Sequence, residues 1–200
     1  HIHEAETITS LMLPNMVDLI GNITSFIAVS DIVLQNLLSL GIHKNSIKKI
    51  YECTDISYLR NNPFDNEIVK GDFFEIGASG SVHWRKGDDV FIQVARYIKK
   101  HWHDAKIRFT WVGNISQNQR LIIEADIKKM GLGEVIRFIG EQSNPLAYYQ
   151  DFDAFLMCSR EDPFPLVCIE VGILGKPIIC FEDATGAGEL LNCLLYTSPS

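Results

Sequence analysis

Residues 159–170 read SREDPFPLVCIE, and this stretch decides the fold. The apolar run 154–158 before it ends in a polar, proline-containing turn, after which apolar residues return with helical spacing. The pattern predicts a strand, a loop and a helix, followed by a new strand over 178–181. Because open parallel sheets bind ligands at the carboxyl ends of their strands, Asp162 in the loop and Glu170 in the helix are candidate ligand-binding carboxylates.

Composition narrows the class of protein. The chain has 200 residues with 46% apolar content, enough to bury a core, and its net charge of -7 argues against a nucleic-acid partner. The five cysteines are scattered through mostly apolar runs, which is typical of buried thiols in a reducing compartment. No apolar run approaches the roughly 20 residues that a membrane-spanning helix needs.

Alternating apolar strands and amphipathic helices predict an α/β fold, a Rossmann-like parallel sheet with helices on both faces. Polar, turn-rich residues at 58–71 predict a linker between a first domain over 1–57 and a second over 72–192. Residues 193–200 do not continue the pattern and are interpreted as a non-native tail. Strands are predicted over residues 25–29, 47–51, 73–78, 107–112, 135–139, 154–158 and 178–181, and helices over 30–40, 88–100, 117–130, 145–150 and from Leu166 onward.

A glycine-rich turn is the first candidate for binding an anion. Residues 77–81 read GASGS directly after a predicted strand, and Arg85 and Lys86 precede the next helix. Glycines let the backbone approach a ligand and a helix N-terminus offers unpaired N–H groups, so this segment could cradle a diphosphate around Gly80. It matches neither the dinucleotide fingerprint nor the Walker A loop, and an ordinary glycine turn beside two solvated cations is the alternative.

Asp162 and Glu170 would suit a sugar or a ribose, because carboxylates accept hydrogen bonds from hydroxyls. Residues 185–189, TGAGE, are predicted to form a further turn near an anion or simply a loop. The histidine pairs at 1 and 3 and at 101 and 103 lack the cysteine or carboxylate partners of a metal site, so no metal is expected.

Several segments together resemble retaining glycosyltransferases of family 4, which have the GT-B fold (glycosyl transferases group 1). Residues 162–170 followed by GKP at 175–177 are similar to the E-x7-E signature and the G-K-P of that family. Residues 82–91, VHWRKGDDVF, resemble its KG-x-D segment, and residues 186–189 resemble its GG-x-x-E turn. IAVS at 27–30 is similar to the end of its N-terminal domain.

The resemblance implies transfer of a sugar from a nucleotide-diphosphate donor to a saccharide or lipid-linked acceptor, with retention. Residues 1–57 would then be the end of an acceptor domain and 72–192 a truncated donor-binding domain, so the fragment alone is expected to be inactive. The resemblance implies no cofactor beyond the donor substrate. We expect a location in the cytoplasm, with peripheral contact to the inner face of the membrane through the missing N-terminal part. The resemblance assigns catalytic roles to His3 and Asp162, and donor binding to Gly80, Arg85, Lys86, Glu170, Gly186, Gly188 and Glu189.

Two positions depart from the family pattern. The first carboxylate of the signature is Asp162 instead of glutamate, and the adjacent Glu161 is the alternative for its role. Ala78 and Ser79 stand where the family has an arginine after Gly77, and Arg85 is the candidate replacement. Two other functions stay open at this point: a nucleotide-sugar epimerase on the same fold, and a non-catalytic nucleotide-sugar-binding module.

Overall fold

A computed structural model describes residues 22–55, 71–181 and 184–195, which form two compact units. The first unit contains residues 22–54, 161–166 and 184–195, and the second contains Asp55, 71–160 and 167–181. The strands are β1 (Phe26–Ala28), β2 (Ile47–Lys49), β3 (Phe74–Ser79), β4 (Ile107–Val112), β5 (Ile136–Gly140), β6 (Ala154–Met157) and β7 (Ile178–Cys180). The helices are α1 (Asp31–Ser39), α2 (Asp88–His101), α3 (Gln117–Lys129), α4 (Leu146–Asp151), α5 (Leu166–Ile173) and α6 (Ala187–Leu195).

The second unit is built on a five-stranded sheet in the order β5-β4-β3-β6-β7, with every pair of neighbouring strands parallel. The predicted parallel α/β fold with helices on both sides of the sheet is therefore confirmed. The chain builds outward from β3 to β5 and then returns to place β6 on the other side of β3. This reversal makes the carboxyl ends of β3 and β6 the topological switch point, where open α/β sheets bind ligands.

Aromatic side chains pack against both faces of this sheet. Phe91 of α2 is fully buried, and its ring packs edge to face against Phe109 at 5.4 Å and Trp111 at 5.3 Å, both from β4. Phe152 packs against β3 at Gly77, where a Cβ atom would lie 2.0 Å from its ring. The spacing of α2 predicted its apolar face, and the close approach at Gly77 explains why no larger residue stands there.

A buried charge interrupts β3, which the sequence pattern predicted as continuously apolar. Glu75 is 3% exposed, and its carboxylate accepts hydrogen bonds from Nε of Arg108 at 2.7 Å, Nη2 of Arg137 at 3.4 Å and the Thr110 hydroxyl. Arg108 and Arg137 stand near the starts of β4 and β5, so this ion-pair cluster lies toward the amino ends of the strands. The cluster therefore lies at the opposite end of the strands from the carboxyl edge, where parallel sheets bind ligands.

The first unit pairs β1 with β2 in parallel, Phe26 opposite Ile47. The hydroxyl of Ser30 accepts a hydrogen bond from the Val33 amide at 3.3 Å, and Gly41 follows α1 with φ of 81°. Both the N-cap and the glycine stop of this helix agree with the prediction.

The segment 185–189 differs from its prediction as a turn or loop. The Thr185 hydroxyl accepts a hydrogen bond from the Ala187 amide at 3.2 Å, and Leu190 donates its amide to the Gly186 carbonyl at 3.4 Å, so a helix starts here. This helix, α6, runs to Leu195 and includes the first residues of the predicted tail. The Thr185 hydroxyl satisfies an amide at the start of the helix, and this favours a helix start over the flexibility that the glycines suggested.

Three predictions fall wholly or mostly on residues that the structure does not describe: His3, the linker over 58–71 as far as residue 70, and the tail over 193–200 from residue 196 onward. Within 22–55, 71–181 and 184–195, none of the helices has both the length and the apolar content required to cross a membrane.

Candidate functional site

The turn after β3 is held in place by the neighbouring strand β4. Gly80 has φ of 140°, its amide donates to the Val112 carbonyl at 3.0 Å, and its carbonyl accepts from Nε1 of Trp111 at 2.8 Å. Gly113 approaches so closely that a Cβ atom there would lie 2.1 Å from the Gly80 carbonyl oxygen. The backbone at Gly80 is therefore fixed on a positive φ that favours glycine, at the carboxyl end of the central strand.

Lys86 lies over this turn. It ends a short 3-10 helix, Trp84–Lys86, and Gly87 then turns the chain with φ of 74° into α2. A Cβ atom placed on Gly80 would be 3.3 Å from Cδ of Lys86, so the aliphatic part of the lysine covers the glycine. The structure thus brings together Gly80 and Lys86, two of the residues that the sequence analysis assigned to one anion site.

Arg85 belongs to the same 3-10 helix. Its amide donates to Nδ1 of His83 at 3.3 Å, and its carbonyl accepts from the Arg160 amide at 2.7 Å. The backbone of Arg85 is therefore fixed on both sides, directly before Lys86.

Glu170 lies in α5 and is half-buried, and this burial raises the pKa of its carboxyl group. Its charge acts on the hydroxyl of Tyr149, whose pKa is raised to about 12, first by burial and secondarily by Glu170. The Tyr149 and Ser79 hydroxyls share a hydrogen bond of 2.6 Å. Tyr149 therefore contacts the last residue of β3 and lies within the electrostatic influence of Glu170.

Sequence reasoning missed Tyr149. It belongs to a short helix, α4, with the sequence LAYYQD, and no motif or spacing distinguishes it from its neighbour Tyr148. The sequence analysis placed Ser79 in the glycine-rich turn and among the departures from the family pattern, and the structure gives its hydroxyl a defined partner, Tyr149.

In the first unit, Asp162 is 7% exposed and forms an isolated parallel bridge with Thr185. Its carbonyl accepts a hydrogen bond from the Gly186 amide at 3.0 Å. A Cβ atom on Gly186 would lie 2.3 Å from the Pro163 carbonyl oxygen. The sequence-predicted residues Asp162 and Gly186 are thus neighbours, and Gly186 must be small because the loop of Asp162 approaches its backbone.

Glu189 lies in the first turn of α6 and contacts the start of α1. Its Oε1 accepts a hydrogen bond from the Asp31 amide at 2.5 Å, and its Oε2 lies 3.9 Å from Nζ of Lys49. A carboxylate is stabilised by the unpaired N–H groups of a helix N-terminus, so these contacts serve the packing of the first unit. Gly188 is in the same turn, and a Cβ atom there would meet no atom within 4 Å. A donor-binding role for either residue stays a prediction.

The residues of the predicted site therefore divide by unit. The second unit holds Gly80, Arg85, Lys86 and Glu170, the first holds Asp162, Gly186, Gly188 and Glu189, and His3 lies outside the described residues. In the described part of the chain, no group of three or more histidine, cysteine, aspartate or glutamate side chains is arranged to hold a metal ion.

Known proteins with similar sequences are sugar transferases. The chain is 30% identical to the capsular polysaccharide biosynthesis glycosyltransferase CapH of Staphylococcus aureus over 147 residues. This matched region is 74% of this chain and 39% of CapH. It is 27% identical to a D-inositol 3-phosphate glycosyltransferase of Paenarthrobacter aurescens, over 63% of this chain and 30% of that protein. The chain thus spans less than two fifths of the length of these relatives.

Solved structures share the fold. Anabaena Alr3699/HepE in complex with UDP and glucose matches with a TM-score of 0.79 at 20% identity, over 95% of this chain and 54% of that one. A glycosyltransferase from Rickettsia africae matches with a TM-score of 0.76 at 21% identity, over 96% of this chain and 52% of that one. The sequence profile described as Glycosyl transferases group 1 matches residues 60–193, more than half of the chain. The chain therefore belongs to the group 1 family of glycosyl transferases, as its resemblance at residues 162–170 indicated.

Proposed function

We propose that the protein transfers a sugar from a nucleotide-diphosphate donor to a saccharide or lipid-linked acceptor, with retention of the anomeric configuration, as in family 4. The observation that carries this proposal is the position of Lys86 over Gly80, at the carboxyl end of β3 beside the switch point of the sheet. Membership of the group 1 family supports it.

Lys86 and Arg85 are proposed to bind the diphosphate. Both side chains extend from a 3-10 helix whose backbone is fixed, and phosphate oxygens are strong acceptors for charged donors. The fold neighbour Alr3699/HepE has been solved with UDP and with UDP-glucose, which supports a nucleotide diphosphate as the ligand class. Cations placed at the leaving diphosphate would stabilise the negative charge that develops there as the glycosidic bond breaks.

Glu170 is proposed to accept hydrogen bonds from the ribose hydroxyls of the donor. A half-buried carboxylate has given up part of its hydration, so a ligand hydroxyl that donates to it recovers favourable interaction. Asp162, or Glu161 beside it, is proposed to face the donor sugar, and His3 to act near the reacting carbon. The assignments of Asp162, Glu161 and His3 rest on the resemblance to the family's motifs.

We further propose that the reaction needs no metal ion, because Lys86 and Arg85 supply positive charge where the leaving group departs. The protein is proposed to work in the cytoplasm, with an acceptor bound by the N-terminal part and contact to the inner face of the membrane if that acceptor is lipid-linked. The buried thiols of Cys158 and Cys168 are typical of a reducing compartment and support this location.

The test is a product assay with the complete protein. UDP- and GDP-linked hexoses are each supplied with a panel of saccharide and lipid-linked acceptors, in the presence of EDTA, and products are examined by NMR. Transfer of a sugar with its anomeric configuration retained is expected. Inverted product would contradict retention, and interconversion of donor sugars without transfer would identify an epimerase. Tight donor binding without any turnover across the panel would favour a binding module.

A further inference from the structure

Arg160, at the end of the segment that follows β6, holds the backbone of the 3-10 helix Trp84–Lys86. Its amide donates to the Arg85 carbonyl at 2.7 Å, and Nη1 of its guanidinium donates to the Trp84 carbonyl at 2.9 Å. The guanidinium also lies over the Trp84 ring, 5.4 Å from its centre. Three contacts of one residue thus converge on two consecutive residues of this short helix.

The guanidinium is itself oriented by Asp89. Nη1 and Nη2 of Arg160 donate to Oδ1 and Oδ2 of Asp89, each at 2.7 Å. Paired N–H groups on a carboxylate fix the plane of a guanidinium as well as its position, so the interaction is directional. The Asp89 carboxyl group has a lowered pKa because Arg160 donates to it and carries the opposite charge. Asp89 lies in the first turn of α2, directly after the segment that carries Lys86.

We propose that Arg160 is a positioning residue for the diphosphate site, which fixes the backbone that carries Lys86 over Gly80. This inference rests on the function proposed above for Lys86. A 3-10 helix of three residues has few hydrogen bonds of its own, so its geometry depends on contacts from outside. Arg160 supplies these contacts from the segment after β6, and so links this segment to the 3-10 helix that follows the neighbouring strand β3.

Lysine cannot replace Arg160 in this role. The guanidinium reaches a carbonyl and both oxygens of a carboxylate at once, whereas an ammonium is a single point charge without a planar fork. Arg160→Lys therefore keeps the charge and the main-chain bond to Arg85 but loses the orientation. We expect this variant to bind UDP roughly tenfold more weakly, about the loss of one charge-assisted hydrogen bond from a misplaced lysine.

The experiment is a double-mutant cycle on the complete protein, with UDP as the calorimetric probe. The variants are Arg160→Lys, Lys86→Ala and the combination. If Arg160 acts through Lys86, its substitution weakens binding in the wild-type background and has little further effect once Lys86 is absent. Additive losses in the combined variant would overturn the proposal, as would unchanged affinity of Arg160→Lys.

Arg108→Lys is the matched control, because Arg108 also donates to a carboxylate, that of Glu75, but lies at the start of β4. It should lose stability and keep its affinity for UDP. If affinity falls equally in this control, the effect of Arg160 is merely structural and the proposal fails.

A second measurement does not depend on the ligand. Amide hydrogen exchange at 84–87 in the unliganded protein should be faster in Arg160→Lys than in wild type, and unchanged rates would contradict the positioning role. If wild-type protein binds no UDP while exchange responds to Arg160, the UDP donor site is disproved and the support of the 3-10 helix stands.

Discussion

Gly87 packs directly against the backbone of Cys158. A Cβ atom on Gly87 would lie 2.2 Å from the Cys158 carbonyl oxygen, and the residue has φ of 74°. Two requirements therefore coincide at the residue after Lys86, a left-handed backbone and the absence of a side chain. This contact joins the segment carrying Lys86 to the end of β6.

Gly87→Ala should lower the free energy of unfolding by about 2–4 kcal/mol, the sum of a strained left-handed alanine and an overpacked contact. Chemical denaturation measures the change. Gly133→Ala is the matched control, because a Cβ atom at Gly133 would meet nothing within 4 Å. Equal stability of the two variants would show that the contact with Cys158 is relaxed in solution.

Glu75→Gln should destabilise the second unit by about 2 kcal/mol. The loss of one member of a fully buried ion pair costs more than about 2 kcal/mol. Here the cost is smaller, because the side chains of Arg108 and Arg137 are 29% and 42% exposed and water can hydrate part of their charge. Urea unfolding at pH 7 measures the loss. Glu134→Gln, at an exposed position, should stay within about 0.5 kcal/mol of wild type. Wild-type stability in Glu75→Gln would refute the contribution of this cluster.

The Cys158 thiol should resist alkylation by iodoacetamide at pH 8, while the exposed Cys53 reacts. Burial raises the pKa of Cys158 to about 12, so roughly one molecule in ten thousand carries the thiolate at that pH. Mass spectrometry of tryptic peptides reports both sites. Rapid labelling of Cys158 in the native protein would contradict the buried environment.

The same raised pKa sets a dependence of stability on pH. The Cys158 thiol has a pKa near 9.0 in the unfolded chain and about 12 in the folded protein. Its contribution to the free energy of unfolding is therefore complete below about pH 9 and is lost as the pH rises between these two values. Cys158→Ala should therefore show a shallower decline of stability over pH 9–11 than wild type, as measured by urea unfolding. Parallel declines would contradict the shift.

Glu170→Gln should separate stability from ligand binding. Burial raises the pKa of Glu170 above its usual 4.5, so ionising it costs stability as the pH rises through the folded value, and this cost is present at pH 7. A neutral amide of the same shape removes this cost. We expect the free energy of unfolding to rise by roughly 0.5–2 kcal/mol, which is typical of single stabilising substitutions. UDP affinity should fall in the same variant. Lower stability together with unchanged affinity would contradict both assignments.

Local sequence patterns predicted the elements of this fold well. The Ser30 cap, the glycine after α1 and the bounds of β4 follow from periodicity and capping, which depend on neighbours in the chain. The positions of Asp162 in a loop and of Glu170 in the helix that follows also agree with the spacing of apolar residues.

The contacts that support the site were beyond such patterns. Arg160 and Trp84 are 76 residues apart, and Ser79 and Tyr149 are 70 apart, so each pair meets only because β6 lies beside β3. Periodicity shows which face of an element is buried, but strand order decides which distant residues meet there. The buried Glu75 was missed for the same reason, since its arginine partners come from two later strands.

The most direct test of the donor site is calorimetric titration of UDP into the complete wild-type protein and its Lys86→Ala variant. A charge-assisted hydrogen bond contributes about 1.5–3 kcal/mol, so the variant should bind roughly 10- to 150-fold more weakly. Lys106→Ala, which removes an exposed lysine paired with Asp72, should bind as wild type does. Equal affinity of Lys86→Ala and wild type would contradict the assignment of the diphosphate site to the turn at Gly80.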